Sequence, residues 1–139
     1  MTHGHIRQDS PPRVLVAEDN ATNRFVMSHF LTRIGLDFEV SANGAAAVAA
    51  WEAGRYDIVL MDIEMPVMDG YEAAQEMRRL EVALGRAATP IIALTADAMP
   101  ESLETARRCG MDDFITKPIE LERLHRAIRR ALAPAAPQG

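Results

Sequence analysis

The 139-residue chain is poor in several features that mark particular protein classes. Its single cysteine, Cys109, excludes an intramolecular disulfide framework and a cysteine-based zinc site. No apolar run approaches the roughly 18 residues that span a bilayer, and the first residues lack the apolar core of a signal peptide. A formal net charge of −5 argues against direct nucleic-acid binding. We therefore expect one cytoplasmic domain without membrane insertion.

The overall composition is that of an ordinary globular domain, with 48% hydrophobic and 25% charged residues. A chain of this length buries enough apolar surface to fold without a staple. The polar start, which ends in two prolines, predicts a flexible leader over residues 1–12. Small residues and prolines predict a flexible tail or linker over 133–139, which leaves 13–132 for the domain. The high alanine and arginine content favours a bacterial source.

Short apolar runs alternate with segments of helical periodicity through the body of the chain. Runs this short and this continuously apolar are typical of parallel strands covered on both faces. The helical segments between them are long enough for right-handed crossovers. The pattern predicts an α/β fold of flavodoxin-like type, a doubly wound five-stranded parallel sheet of strand order 2-1-3-4-5 with five helices. The predicted strands cover residues 14–17, 38–40, 58–61, 91–94 and 114–116.

Polar side chains gather where these apolar runs end. They are Glu18 and Asp19 after the first run, Asp62 after the third, Thr95 after the fourth and Lys117 after the fifth. Because the carboxyl ends of parallel strands lie at one edge of an open sheet, and ligand sites form there, we expect these side chains to meet in one cleft.

The predicted cleft has the composition of a phosphoryl-transfer site. Three crowded carboxylates repel each other, and a divalent cation that prefers oxygen ligands, such as Mg²⁺, relieves that repulsion. Lys117 adds a positive charge and Thr95 a hydroxyl donor. A carboxylate nucleophile, Mg²⁺ and a lysine are what phosphoryl transfer to an aspartate requires. The sequence has no GxxxxGK[ST] loop, so a bound nucleotide is not indicated as the donor.

Four runs of sequence carry these residues: VLVAEDN (14–20), VLMDIEMPVMDG (59–70), IIALTA (91–96) and DDFITKPI (112–119). Together they resemble the receiver domain of two-component response regulators, and the match covers about residues 13–132. Within or overlapping these runs, the sequences EDN, MPVMDG and TADAMPE are similar to the corresponding motifs of receivers attached to hybrid sensor kinases. The resemblance implies a signalling domain of a His–Asp phosphorelay, which catalyses only its own phosphorylation and dephosphorylation and is not otherwise an enzyme.

The resemblance also implies a phospho-acceptor and a metal site. Asp62 would attack the phosphohistidine of a sensor histidine kinase or a histidine phosphotransfer protein, and small-molecule phosphodonors are possible substitutes. Asp19 would bind Mg²⁺ directly and Glu18 through water, with the backbone carbonyl of Glu64 as a further ligand. Lys117 would pair with the new phosphoryl group.

A conformational switch is implied as well. Thr95 would hydrogen-bond the phosphoryl group, and the ring of Phe114, which we expect to be partly in the core, would turn inward as Thr95 moves. The surface of the fourth helix, last strand and last helix would then change for a downstream docking partner. Pro118 resembles the family's cis-proline. Glu64 and Asp97, two residues beyond the acceptor and the threonine, are expected to tune the lifetime of the phosphorylated form.

Other interpretations of the same residues stay open. Asp19 or Asn20 could simply cap the helix that follows. The chain could be a pseudo-receiver, a protein-binding module without phosphorylation. A haloacid-dehalogenase-type phosphatase also forms an aspartyl phosphate, but that family has a second Asp where this chain has Glu64, and its nucleophile lies on the first strand. Whether the receiver stands alone or belongs to a hybrid kinase is not determined by the sequence.

Overall fold

The structure is a computed structural model that describes residues 11–133. The predicted leader, apart from 11–12, and the predicted tail, apart from 133, lie outside the described residues. Among residues 11–133, no helix is both long and apolar enough to cross a membrane. Five strands alternate with five helices: β1 (Arg13–Ala17), α1 (Ala21–Ile34), β2 (Asp37–Ser41), α2 (Gly44–Ala53), β3 (Ile58–Asp62), α3 (Gly70–Leu84), β4 (Ile91–Thr95), α4 (Pro100–Arg108), β5 (Asp113–Thr116) and α5 (Leu121–Leu132).

The strands form one parallel sheet in the order β2-β1-β3-β4-β5, which confirms the predicted fold. All residues of β3 and β4 are buried, as expected for central strands covered by helices on both faces. β2 lies at an edge, and its first four residues alternate between exposed and partly buried, followed by the buried Ser41. Burial therefore follows position in the sheet.

Three strands end one residue later than the apolar pattern predicts, and the last residues of two of them, β3 and β4, belong to the predicted site. Asp62 is the last residue of β3 and pairs with Leu94, and Thr95 is the last residue of β4 and pairs with Thr116. Pairing with the neighbouring strands keeps these two polar residues in the sheet, although polar residues of this kind are more common in loops. The pleat of the strand thereby sets the direction in which each of the two side chains points.

The hydrophobic core consists of two clusters, one on each face of the sheet. One joins alternate strand residues to α2 and α3, with Trp51 and Met77 among its buried members. The other joins the remaining strand residues to α1 and α5, with Leu31 and Ile128 fully or almost fully buried. Each such side chain contributes about 1.5–3 kcal/mol by leaving water. The sheet is thereby fixed from both sides, and its edge forms a rigid base for the site.

Helix ends follow the local signals in the sequence. Gly35 ends α1 in the left-handed conformation, with φ of 94°, and Gly54 ends α2. Asp69 and Glu72 form a capping box at the start of α3, and Pro100 occupies the first turn of α4. The sequence signals at these four helix ends therefore coincide with the ends in the structure.

The loop between β3 and α3 lies very close to the backbone at the end of β3 and to the backbone at the start of α2. A Cβ atom on Gly70 would lie 2.3 Å from the carbonyl oxygen of Asp62, and one on Gly44 would lie 2.2 Å from that of Met68. Backbone hydrogen bonds of 2.8 Å from Gly70 to Ile63 and 3.2 Å from Gly44 to Met68 close the same contacts. The two glycines therefore determine how near this loop lies to the end of β3.

Replacing Gly70 with alanine tests this close approach. We expect Gly70→Ala to lower the free energy of unfolding by about 2 kcal/mol or more, because the new methyl group meets backbone that has no room to move. Urea denaturation would measure the loss. Gly54→Ala is the matched control, since its Cβ comes no closer than 3.2 Å to any atom outside its neighbours. Equal stability of the two variants would contradict the explanation.

Candidate functional site

Three carboxylates and one ammonium meet at the carboxyl edge of the sheet. Carboxylate oxygens of Glu18, Asp19 and Asp62 all lie within 4.8 Å of one another. The Nζ atom of Lys117 lies 3.1 Å from Oδ1 of Asp62 and 3.4 Å from Oε1 of Glu18. Residues that are up to 99 positions apart in the chain therefore form one cluster, because parallel strands end at a common edge.

The backbone around Lys117 directs its side chain into this cluster. The Lys117 amide donates a 2.8 Å hydrogen bond to the carbonyl of Thr95, which joins the end of β5 to the end of β4. The Lys117–Pro118 peptide bond is cis, as the resemblance implies. The lysine side chain is 24% exposed, so its ammonium group lies at the mouth of the cleft and not in bulk water.

Glu18 and Asp19 are neighbours in very different environments. Glu18 is 1% exposed, and its carboxylate accepts hydrogen bonds from the amide of Asn20 at 3.1 Å and the side chain of Asn23 at 3.4 Å, besides the contact with Lys117. Asp19 is exposed, and its carboxylate has no hydrogen bond or ion pair within residues 11–133. Asp19 is thus the carboxylate with free ligand atoms.

Sequence reasoning missed Asn23 and Arg24, both of which lie in the first turn of α1. Arg24 donates to the backbone carbonyls of Glu18 at 3.0 Å and Asp19 at 2.9 Å, and so fixes the loop that carries both acids. The cap of α1 is Asn20, whose side chain accepts the Asn23 amide at 2.9 Å. A polar residue three or four positions after a predicted N-cap was the available signal.

Burial raises the pKa of Asp62 to about 6. The hydrogen bond from Lys117 lowers this pKa, and the charge and hydrogen bond of Glu18 raise it again. Asp62 is only 2% exposed, so water stabilises its negative charge poorly. The ionised form that a nucleophile requires therefore depends on positive charge nearby.

Lys117 supplies only part of that charge. Burial by itself would lower the pKa of Lys117, but its contacts with Asp62 and Glu18 outweigh burial and hold the pKa above its usual value. The ammonium is therefore charged at neutral pH, and it contacts two of the three carboxylates of the cluster. A cluster of oxygen ligands with excess negative charge and one free, exposed carboxylate fits a hard divalent cation.

Thr95 and Asp97 form a separate hydrogen-bonded unit beside the cluster. The Thr95 hydroxyl donates to the Asp97 carbonyl and accepts from the Asp97 amide, both at 2.9 Å. The Asp97 carboxylate accepts from the Met99 amide at 2.9 Å and the Ser102 hydroxyl at 2.6 Å. Asp97 therefore binds the start of α4, a connection that the sequence did not reveal.

Two other predicted residues lie at the border of the site. The Glu64 side chain is exposed, and its amide donates a 3.3 Å hydrogen bond to Oδ1 of Asp62. Phe114 pairs with Ala93 in the sheet but is 38% exposed, whereas its neighbour Ile115 is 3% exposed. Ile115 is the residue of β5 that belongs to a core cluster, whereas Phe114 lies outside both clusters, at the surface, with most of its area shielded.

Fold and site together define a flavodoxin-like domain with an acidic cluster and a lysine at the carboxyl edge of its sheet. Residues 14–129 match the response regulator receiver domain family. The chain belongs to this family and is a receiver domain of two-component systems. The predicted family and function are thereby confirmed.

Similar proteins include both kinases and separate regulators. The peroxide stress-activated histidine kinase mak1 of Schizosaccharomyces pombe is 41% identical over 80% of this chain, which is 7% of that protein. The receiver domain of a Pseudomonas aeruginosa sensor histidine kinase, solved with a magnesium ion in its active-site cleft, is 36% identical, with a TM-score of 0.80 over 88% of this chain and 98% of that one.

A third similar structure is the Saccharomyces cerevisiae receiver domain of Ssk1, solved with the histidine phosphotransfer protein Ypd1. It is 31% identical, with a TM-score of 0.84 over 88% of this chain and 89% of that one. The chain spans 7% and 14% of the first two curated relatives that it matches. These relatives come from fungi and bacteria, so the bacterial source stays a prediction.

The pKa of Asp62 generates a test on the metal-free protein. Because the folded state binds the Asp62 proton more tightly than the unfolded state, this residue's contribution to stability is present at pH 4 and is lost as pH rises to about 6. In EDTA at pH 7, Asp62→Asn should therefore be more stable than the native chain by about 1–3 kcal/mol. Urea denaturation at both pH values would measure it. A stability difference that is the same at pH 4 and pH 7 would contradict this assignment.

Proposed function

We propose that Asp62 accepts a phosphoryl group from a phosphohistidine, and that this modification switches the domain between two conformations. The observation that carries the proposal is the convergence of Glu18, Asp19 and Lys117 on one buried carboxylate. A buried acid with a raised pKa beside a charged lysine is an arrangement that concentrates at functional sites, which supports a nucleophilic role for Asp62. A capping role for Asp19 is not supported, because Asn20 caps α1.

In this mechanism an oxygen of Asp62 attacks the phosphorus atom as the bond from phosphorus to the histidine nitrogen breaks. The electron pair of that bond stays on the imidazole, and the phosphoryl group becomes an acyl phosphate on Asp62. Lys117 lies 3.1 Å from the attacking carboxylate and stabilises the negative charge of the transferred oxygens. The amide of Glu64 orients the same carboxylate through Oδ1.

The acidic residues would hold Mg²⁺ at this position. Asp19, with its free carboxylate, and Asp62 would be the direct ligands, and the Glu64 carbonyl would be a further one. Glu18, held by Asn20 and Lys117, would act through water. When bound, Mg²⁺ neutralises charge on the phosphoryl oxygens. Lys117 favours the ionised form of Asp62 that the attack requires, because its hydrogen bond lowers the pKa of that carboxyl.

We also propose the biological setting of this reaction. The donor would be a sensor histidine kinase or a histidine phosphotransfer protein, and the domain itself would catalyse only its own phosphorylation and dephosphorylation. The domain, over residues 13–132, would act in the cytoplasm as a stand-alone regulator or as part of a hybrid kinase. Thr95 and Phe114 would transmit the change to the surface formed by α4, β5 and α5, where a downstream partner docks.

Mass spectrometry tests the acceptor site directly. Incubation with phosphoramidate and Mg²⁺ should add one phosphoryl group to the native chain, and Asp62→Asn should gain none. Asp37→Asn is the control, because Asp37 is an exposed aspartate at the far edge of the sheet. It should be labelled as the native chain is.

Several results would contradict the proposal in distinct ways. Labelling of Asp62→Asn would place the modification elsewhere. A native chain that stays unlabelled both by phosphoramidate and by a phosphorylated histidine phosphotransfer protein would support the pseudo-receiver. Release of free phosphate from small phosphate esters would indicate a phosphatase.

Metal binding should raise thermal stability through the same cluster. At a Mg²⁺ concentration tenfold above Kd, binding to the folded state adds about 1.4 kcal/mol, which corresponds to a rise of a few degrees in Tm. We expect Asp19→Asn to abolish most of this rise, and Asp37→Asn to retain it. Differential scanning calorimetry with Mg²⁺ and with EDTA would measure both variants. An unchanged rise in Asp19→Asn would exclude this residue as a ligand.

A further inference from the structure

The hydroxyl of Thr95 is fully engaged in the unphosphorylated chain. Its only proton goes to the Asp97 carbonyl and its oxygen accepts the Asp97 amide, both at 2.9 Å. Thr95 is 5% exposed, so water does not compete freely for this hydroxyl. Because one O–H group has one proton, Thr95 donates either to Asp97 or to a phosphoryl group on Asp62, but not to both.

Asp97 is itself fastened to the start of α4. Met99 occupies the N-cap position of α4, and its side chain makes no capping hydrogen bond. The Asp97 carboxylate instead accepts hydrogen bonds from the Met99 amide and the Ser102 hydroxyl. The hydrogen bond from Ser102, followed by that from Met99, lowers the pKa of Asp97. The carboxylate is thus ionised at neutral pH, and its bond to Ser102 is charge-assisted.

These hydrogen bonds form one continuous path from the edge of the sheet that carries the site to a surface helix. The Thr95 hydroxyl binds the backbone of Asp97, and the side chain of Asp97 binds the first turn of α4. Turning the hydroxyl toward Asp62 breaks both of its bonds to the Asp97 backbone, and the bond from Ser102 to the Asp97 carboxylate holds that backbone in the position that forms them. The side chains of Asp97 and Ser102 therefore influence a hydroxyl that they do not touch.

We propose that the Asp97–Ser102 contact is a latch that holds Thr95 away from the phosphoryl position, so that both residues are positioning residues for the Thr95 hydroxyl. This inference rests on the proposed phosphorylation of Asp62 and names the contact that regulates it. The phosphorylated state forms as the latch opens, and opening the latch loosens the first turn of α4. The helix thereby reports the state of the site.

Beryllofluoride, a tetrahedral mimic of a phosphoryl group on a carboxylate, tests the latch by calorimetric titration in the presence of Mg²⁺. Ser102→Ala removes the hydroxyl donor and should raise beryllofluoride affinity about three- to tenfold, the effect of losing one hydrogen bond that favours the unliganded state. Thr105→Ala is the matched control, because its hydroxyl, also on α4, donates to the Glu101 carbonyl. That variant should leave the affinity unchanged.

A double-mutant cycle separates the latch from simple helix capping. In the Thr95→Ala background there is no hydroxyl to hold, so Ser102→Ala should no longer change the affinity. An equal gain in both backgrounds would assign the contact to α4 capping alone and overturn the latch. Unchanged affinity in the native background would overturn it as well.

Amide hydrogen exchange provides a readout that needs no phosphoryl mimic. The Asp97 amide is bonded to the Thr95 hydroxyl, so Ser102→Ala should speed its exchange about three- to tenfold, while the amides of β4 stay protected. Unchanged exchange at Asp97 would contradict the latch even where the phosphorylation proposal stands. A native chain that binds no beryllofluoride would instead refute the proposed function, and the latch with it.

Discussion

The contact between Lys117 and Asp62 is the interaction on which the site depends. Without that ammonium, two buried carboxylates and a third exposed one would face each other with no positive charge between them. Even with it, burial keeps the pKa of Asp62 near 6, so the cluster carries electrostatic strain. Such strain destabilises the fold and at the same time prepares a site for cations and phosphoryl groups.

The rest of the fold is arranged so that this strained cluster cannot relax. Two hydrophobic clusters hold the sheet from both faces, and the ends of β1, β3 and β5 are therefore fixed relative to each other. Arg24 fixes the loop after β1 by binding two of its carbonyls. Gly44 and Gly70 allow the loop after β3 to lie close to Asp62. The geometry of the acidic cluster is thus set by contacts that lie outside the cluster.

Asp97 connects this fixed site to a part of the structure that is less tightly held. α4 is the shortest helix among residues 11–133 and has Ala106 as its only fully buried residue. A helix with so little buried surface is the one whose position a single hydrogen bond can influence. In the proposed switch, the site would therefore affect the surface through α4 and not through the central strands.

The sequence by itself determined the alternation of strands and helices, the flavodoxin-like class and the residues that end the strands. Hydrophobic periodicity and the places where apolar runs end are local features, which can be read from residues that are close together in the sequence. Tertiary structure alone decided that Asn20 and not Asp19 caps α1, that Arg24 holds the acidic loop, and that Asp97 binds Ser102. Those outcomes depend on which hydrogen-bond partner is within about 3 Å once the backbone has folded, and a side chain's type does not specify which of several partners it meets.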